Sequence, residues 1–181
     1  MLRQNVDKGH PTAIRHLGTC YSLGYSGVVQ SYKKATRLFQ RAADLGSVNA
    51  MNQVGFAHQH GNSVKIDKKK MIKYYRMAAD LGYERAQFNV ANCYYNGEGV
   101  ARDFVEAARI YKLASDHGHT DSEYALGQMH ERGRGVAAAD IVEATGWYER
   151  AAAKGHKGAI GALKREASAA ALVQIRLLRR K

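Results

Sequence analysis

The side chains of this 181-residue chain that could hold a metal or carry a nucleophile are eight histidines and two cysteines. His58-x-His60 and His117-x-His119 have the close spacing of paired imidazole ligands, for which Zn²⁺ is a natural guest. Cys20 and Cys93 could supply thiolates or a bridge. Asp103, Asp140, Glu143 and Glu149 are carboxylates available for acid–base work. Lys65, Lys68, Lys69, Lys70, Lys73 and Arg76 form a cationic run suited to acidic protein surfaces or to phosphate. Each of these must be weighed against what the architecture already demands at its position.

That architecture is a repeat. Ala13, Ala50, Ala86 and Ser122 recur at intervals of 37, 36 and 36 residues. Four residues after each stands Leu17-Gly18, Val54-Gly55, Val90-Ala91 or Leu126-Gly127, followed by Tyr21, His58, Tyr94 or His130. A turn rich in glycine comes next, containing Gly24 and Gly27, Gly61, Gly97 and Gly99, or Gly133 and Gly135. Ser31, Asp67, Asp103 and Asp140 then stand where a second helix would need its N-cap, because their side chains accept an orphan backbone N–H. Each unit closes on an aromatic (Phe39, Tyr75, Tyr111, Tyr148), a pair of small residues and a glycine at 46, 82, 118 or 155. The pattern predicts two antiparallel helices per unit. The first, helix A, covers about residues 12–23 in unit one and ends on a glycine that accepts positive φ. The small residues of the Leu-Gly and Ala-Ala pairs let helix backbones approach closely. One unit cannot bury both of its faces, so neighbours must stack.

These residues resemble the Sel-one-like repeat family, relatives of tetratricopeptide repeats with about 36 residues per unit. The likeness is best in residues 84–119, good in 120–156, and covers roughly residues 12–156 as four units. Unit one departs by an extra turn residue and Ser31 for Asp, and unit two by Ser63 in place of the second turn glycine and Met71 in place of Ala. Unit four has an extra residue between Val136 and Asp140. A tetratricopeptide fold is the alternative, but its unit is about 34 residues and lacks the Gly-x-Gly turn. The resemblance implies an all-α, right-handed α-solenoid of antiparallel helix pairs that acts as a scaffold within complexes. Secreted, cysteine-rich members carry disulfides in every repeat, a pattern absent here, so their reported penicillin-binding and β-lactamase properties are not carried over.

The repeat frame absorbs most of the reactive side chains. His58 fills the aromatic slot of its unit, and His10, His119 and His156 each follow a closing glycine, so no metal ligand set is assigned. Cys20 and Cys93 share one phase two units apart, which places them beyond the ~7 Å Cα separation that a disulfide tolerates. The named carboxylates have cap or surface explanations, and Trp147, beside Tyr148, reads as core. No catalytic residue, cofactor site or small-molecule substrate is assigned, and the expectation is that the protein is not an enzyme.

What remains is surface. Helix A lines the concave face in related solenoids, and one step round from its apolar stripe stand His16, Thr19, Gln53, Phe56, Asn89, Asn92 and Gln128. They are mostly neutral hydrogen-bonding residues with Phe56 as an anchor, which suits a peptide better than a phosphate backbone. Lys68, Lys69 and Lys70 add a cationic site, and lysines at a helix N-terminus oppose its dipole. The net charge of +12 is uneven: +5 over residues 1–48, +4 over 49–83, −1 over 84–119, −2 over 120–156 and +6 over 157–181. A uniform nucleic-acid groove would not be distributed in this way.

Residues 1–10 read as the tail of a preceding repeat, with Gly9 as its closing glycine. Four repeats follow at about 11–47, 48–83, 84–119 and 120–156, and residues 157–181 form a capping or extension helix. Its apolar spacing outlasts the repeat, and Ile175, Leu178 and Arg179 are candidate partner contacts there. A mean hydropathy of −0.46 with no apolar run approaching ~18 residues excludes a membrane-spanning helix, and the first residues show no secretory signal. The expectation is an intracellular protein, cytoplasmic or organellar, that binds one or more protein partners with acidic surfaces as an adaptor, scaffold or assembly subunit. An RNA-associated solenoid using the basic ends is the alternative.

Overall fold

A computed structural model describes the backbone of residues 2–178 and the side chains of residues 5–169. It falls into two compact units, residues 1–103 and 104–181. Unit one holds α1 (Leu2–Asp7), α2 (Pro11–Leu23), α3 (Tyr32–Asp44), α4 (Val48–His60), α5 (Lys68–Asp80) and α6 (Glu84–Asn96). Unit two holds α7 (Phe104–Asp116), α8 (Thr120–Arg132), α9 (Ile141–Ala153) and α10 (Lys157–Leu178). Among the described residues every element is a helix, and within each unit consecutive helices pack as neighbours. This is the helix-pair packing of an α-solenoid.

Punctuation in the sequence sets the helix lengths. α2, α4, α6 and α8 all end on a glycine in the left-handed region, Gly24, Gly61, Gly97 and Gly133, with φ between 61° and 74°. The second helices begin on caps: Ser31 Oγ accepts from Lys34 N–H (3.4 Å), Asp67 Oδ1 from Lys70 N–H (2.9 Å) and Asp140 Oδ1 from Glu143 N–H (3.0 Å). The stop glycine and the start residue lie seven positions apart in the first and fourth repeats and six apart in the second and third, and each turn is stitched by a backbone bond such as Asp67 N–H to His58 O (3.1 Å). Ser63 takes the left-handed conformation (φ 63°) at the place where Gly99 has φ 74°, so the turn survives loss of its glycine. An L-residue pays about 1–2 kcal/mol for that conformation.

The small residue of each Leu-Gly pair has a different use from the backbone approach expected of it. A Cβ added to Gly18 would lie 2.8 Å from the Phe39 ring, to Gly55 2.6 Å from the Tyr75 ring and to Gly127 2.5 Å from the Tyr148 ring. In each case the glycine makes room for the closing aromatic of the same repeat, which is then buried. The ring's end dictates a partner further along the first helix. Tyr75 Oη donates to Gln59 Oε1 and Tyr148 Oη to Glu131 Oε2, both at 2.6 Å, while the repeat of Phe39, which has no hydroxyl, carries Ser22 at that phase. Burial raises both tyrosine pKa values above the ordinary range, and at Tyr148 the Glu131 hydrogen bond acts in the same direction.

The core of unit one is built on Ile14, Phe39, Met51, Val54 and a set of fully buried alanines, and that of unit two on Ala144, Tyr148, Ala151, Ala159 and Ala162. Trp147 is core, as expected, 7% exposed, with Lys112 Nζ 5.8 Å and Arg150 Cζ 4.6 Å from its ring centroid.

Candidate protein-binding surface

Six of the seven residues marked on the first helices lie in unit one, at equivalent turns of α2, α4 and α6. His16 is exposed, with Nε2 3.3 Å from Tyr25 Oη. Thr19 is half-buried and its hydroxyl donates back to Arg15 O (3.2 Å), the usual use of a threonine inside a helix. Gln53, Asn89 and Asn92 are half-buried. Asn89 Nδ2 donates to Oδ1 of the buried Asn52 (2.8 Å), so part of this row's hydrogen-bonding capacity ties α6 to α4. Phe56 is 43% exposed, its ring 4.0 Å from that of His60. Gln128, in unit two, is half-buried and donates to Tyr124 Oη (3.1 Å).

Lys68, Lys69 and Lys70 are exposed in the first turn of α5. With His58, Val64, Lys65, Ile66 and the capping Asp67 they line an open depression of about 630 Å³. The Lys70 N–H hydrogen bond holds the Asp67 carboxyl below its ordinary pKa. Ile175 and Leu178 lie where α10 is described by its backbone alone, and Arg179 lies outside the described residues, so these three contacts are outside the described side chains.

The pairs that suggested chemistry are placed by packing. His60 Nδ1 lies 3.1 Å from Phe56 O, His58 Nδ1 3.4 Å from Lys65 O, and His119 Nδ1 3.0 Å from Ser122 Oγ. Among the described residues no three His, Cys, Asp or Glu side chains come together as a metal site. Cys20 and Cys93 are buried free thiols, and burial pushes the Cys93 pKa up to about 12. Among the described residues no helix is long and apolar enough to cross a membrane.

One charged cluster was not singled out from the sequence. Glu123 is fully buried on α8, and its Oε1 meets Arg150 Nη2 (3.1 Å) and Lys154 Nζ (3.0 Å) from the end of α9. The signal was present, since Glu123 follows Ser122 at the phase where the other repeats carry Ile14, Met51 and Gln87.

The sequence profile of the Sel1 repeat matches residues 11–47, 48–83, 84–119 and 120–156. The chain belongs to the Sel1 repeat family. Sel1 repeat proteins generally mediate protein–protein interactions, and the family is generally a non-catalytic scaffold. No curated protein matches the chain. Among solved structures it is similar to a protective antigen of uropathogenic Escherichia coli displaying this fold, with 33% identity and a TM-score of 0.82 over 87% of this chain and 33% of that one. A Sel1 repeat protein from Oxalobacter formigenes gives 30% identity and a TM-score of 0.80 over 83% of this chain and 61% of its own. Cysteine rich protein B of Helicobacter pylori gives 26% identity and a TM-score of 0.57 over 76% of this chain and 98% of that one. The Sel1 chain thus spans a third of the first of these proteins and 61% of the second.

Proposed function

We propose that this Sel1 chain is a non-enzymatic protein-binding module, an adaptor, scaffold or assembly subunit of a larger intracellular complex. In this reading residues 1–10 are a partial repeat, 11–156 four repeats, and 157–181 a capping or extension helix. The observation that supports it is the exposed Phe56 among polar, half-buried neighbours on the first helices of unit one. An aromatic left 43% exposed on α4 while that helix buries Met51, Val54 and Ala57 suits an anchor that a peptide segment covers on binding. Gln53, half-buried one turn before it on α4, would hydrogen-bond the backbone of such a segment.

The test is photocrosslinking from Gln53 in extract of the native source, followed by mass spectrometry, with and without Phe56→Asp. The expected result is one or a few cross-linked proteins, lost in the Phe56→Asp variant while the circular dichroism spectrum is unchanged. Failure to cross-link any protein, or cross-linking that ignores Phe56→Asp, overturns this assignment of the surface.

A further inference from the structure

The depression at the start of α5 is a second surface, with its own chemistry. Its floor is apolar, Val64 half-buried and Ile66 57% exposed, and its rim carries the ammonium groups of Lys65, Lys68, Lys69 and Lys70. Among the described residues the only ion pair these four make is Lys68 Nζ to Glu98 Oε1 at 3.9 Å, with the lysine side chain 57% exposed. The one carboxylate in the lining, Asp67, is committed to capping α5.

The positive charge stands where the fold alone disfavours it. The first turn of a helix presents unsatisfied N–H groups and the positive end of the dipole, so acidic residues belong there. α7 and α9 obey, with Glu106 and Glu143 in their first turns, whereas α3 and α5 have no acid there and carry Lys34 and Lys70 three residues after Ser31 and Asp67. The two basic helix starts are joined: Thr36 Oγ1 of α3 donates to Asn62 O in the turn before α5 (3.0 Å). This bond sets α3 beside the turn before α5, but Lys34 Nζ lies over the Tyr21 ring, 5.0 Å from its centroid, so the cationic edge is that of α5.

We infer that this edge binds an Asp/Glu-rich segment of a partner protein, one apolar side chain of which covers Ile66. The inference rests on the protein-binding reading above and names the partner's chemistry at a different surface. An acidic peptide fits better than RNA because the depression has an apolar floor. Its cations are also all lysines, with no guanidinium plane, and the one ring in its lining, that of the half-buried His58, lies parallel to Tyr74 with 6.3 Å between centroids.

The test uses the full chain and fluorescence anisotropy. The probe is a labelled dodecapeptide of Glu and Asp with one central Leu, compared with its Gln/Asn counterpart and with a 12-nucleotide oligouridylate. At about 50 mM salt, where exposed charges are weakly screened, the acidic peptide should bind and weaken as salt rises. Lys68→Ala, Lys69→Ala and Lys70→Ala together should weaken it about tenfold, from the summed loss of three exposed ion pairs. Ile66→Ser should weaken it without changing the salt slope. A triple control, Lys157→Ala, Lys164→Ala and Arg165→Ala, should leave it unchanged. The proposal is overturned by absence of binding, by equal losses in the two triple variants, or by oligouridylate binding more tightly than the peptide. If the peptide fails while Gln53 still cross-links a partner, this inference falls alone. If cross-linking fails and the peptide binds as described, the inference stands and the Phe56 surface falls.

Discussion

Gly82 and Gly99 both have positive φ, 81° and 74°, yet an added methyl group meets very different surroundings. At Gly82 nothing lies within 4 Å of the new Cβ. Gly82→Ala therefore carries only the left-handed penalty of about 1–2 kcal/mol, offset by about 0.4–1 kcal/mol from the stiffer unfolded chain. At Gly99 the Cβ would stand 2.4 Å from Lys68 O and 3.0 Å from its carbonyl carbon, both backbone atoms of α5. Those atoms cannot rotate away, so the turn must lift from the helix, adding an overpacking cost of about 1–3 kcal/mol. The expected losses are about 0.5–1 kcal/mol for Gly82→Ala and about 2–4 kcal/mol for Gly99→Ala. With a urea m-value near ~2 kcal/mol/M, the midpoint should fall by less than ~0.5 M in the first variant and by about 1–2 M in the second. Urea titration followed by circular dichroism at 222 nm measures both. Equal midpoints, or a milder effect at Gly99, would refute the packing of this turn on the preceding second helix.

Ser63→Gly should stabilise by about 0.5–1 kcal/mol by relieving the left-handed serine, read as a higher urea midpoint. Glu123→Met should be neutral or stabilising, because methionine already fills this phase at Met51 and the desolvated ion pair is replaced by packing. Removing its partners instead, with Arg150→Ala and Lys154→Ala, should cost about 3–5 kcal/mol by stranding a buried charge, as the same titration would show. Cys93 favours its neutral thiol in the fold, so its contribution is complete below the ordinary pKa of 9.0 and disappears as pH rises through about 12. Alkaline unfolding between those values should accordingly be shallower in Cys93→Ala, and a thiol reagent at pH 8 should modify neither cysteine until denaturant is added.

The sequence by itself determined the helices. The 36-residue period, the stop glycines and the caps at Ser31, Asp67 and Asp140 act over a few residues, and local backbone chemistry is enough to settle where α2 to α9 begin and end. The basic run at Lys68–Lys69–Lys70 was equally visible, because charge needs no fold to be counted. Contacts between helices were a different matter. That Gly55 receives the Tyr75 ring, rather than a neighbouring backbone, depends on how two helices rotate against each other. That Glu123 is fully buried depends on cations reaching it from the end of α9, thirty-one residues away along the chain in the case of Lys154. The same holds for the row around Phe56, where pairings such as Asn52–Asn89 decide which polar groups are spent within the fold. Hydrophobic phase says which side of a helix turns inward, but the identity of the atoms it meets is a property of packed distances, and those exist only in the tertiary structure.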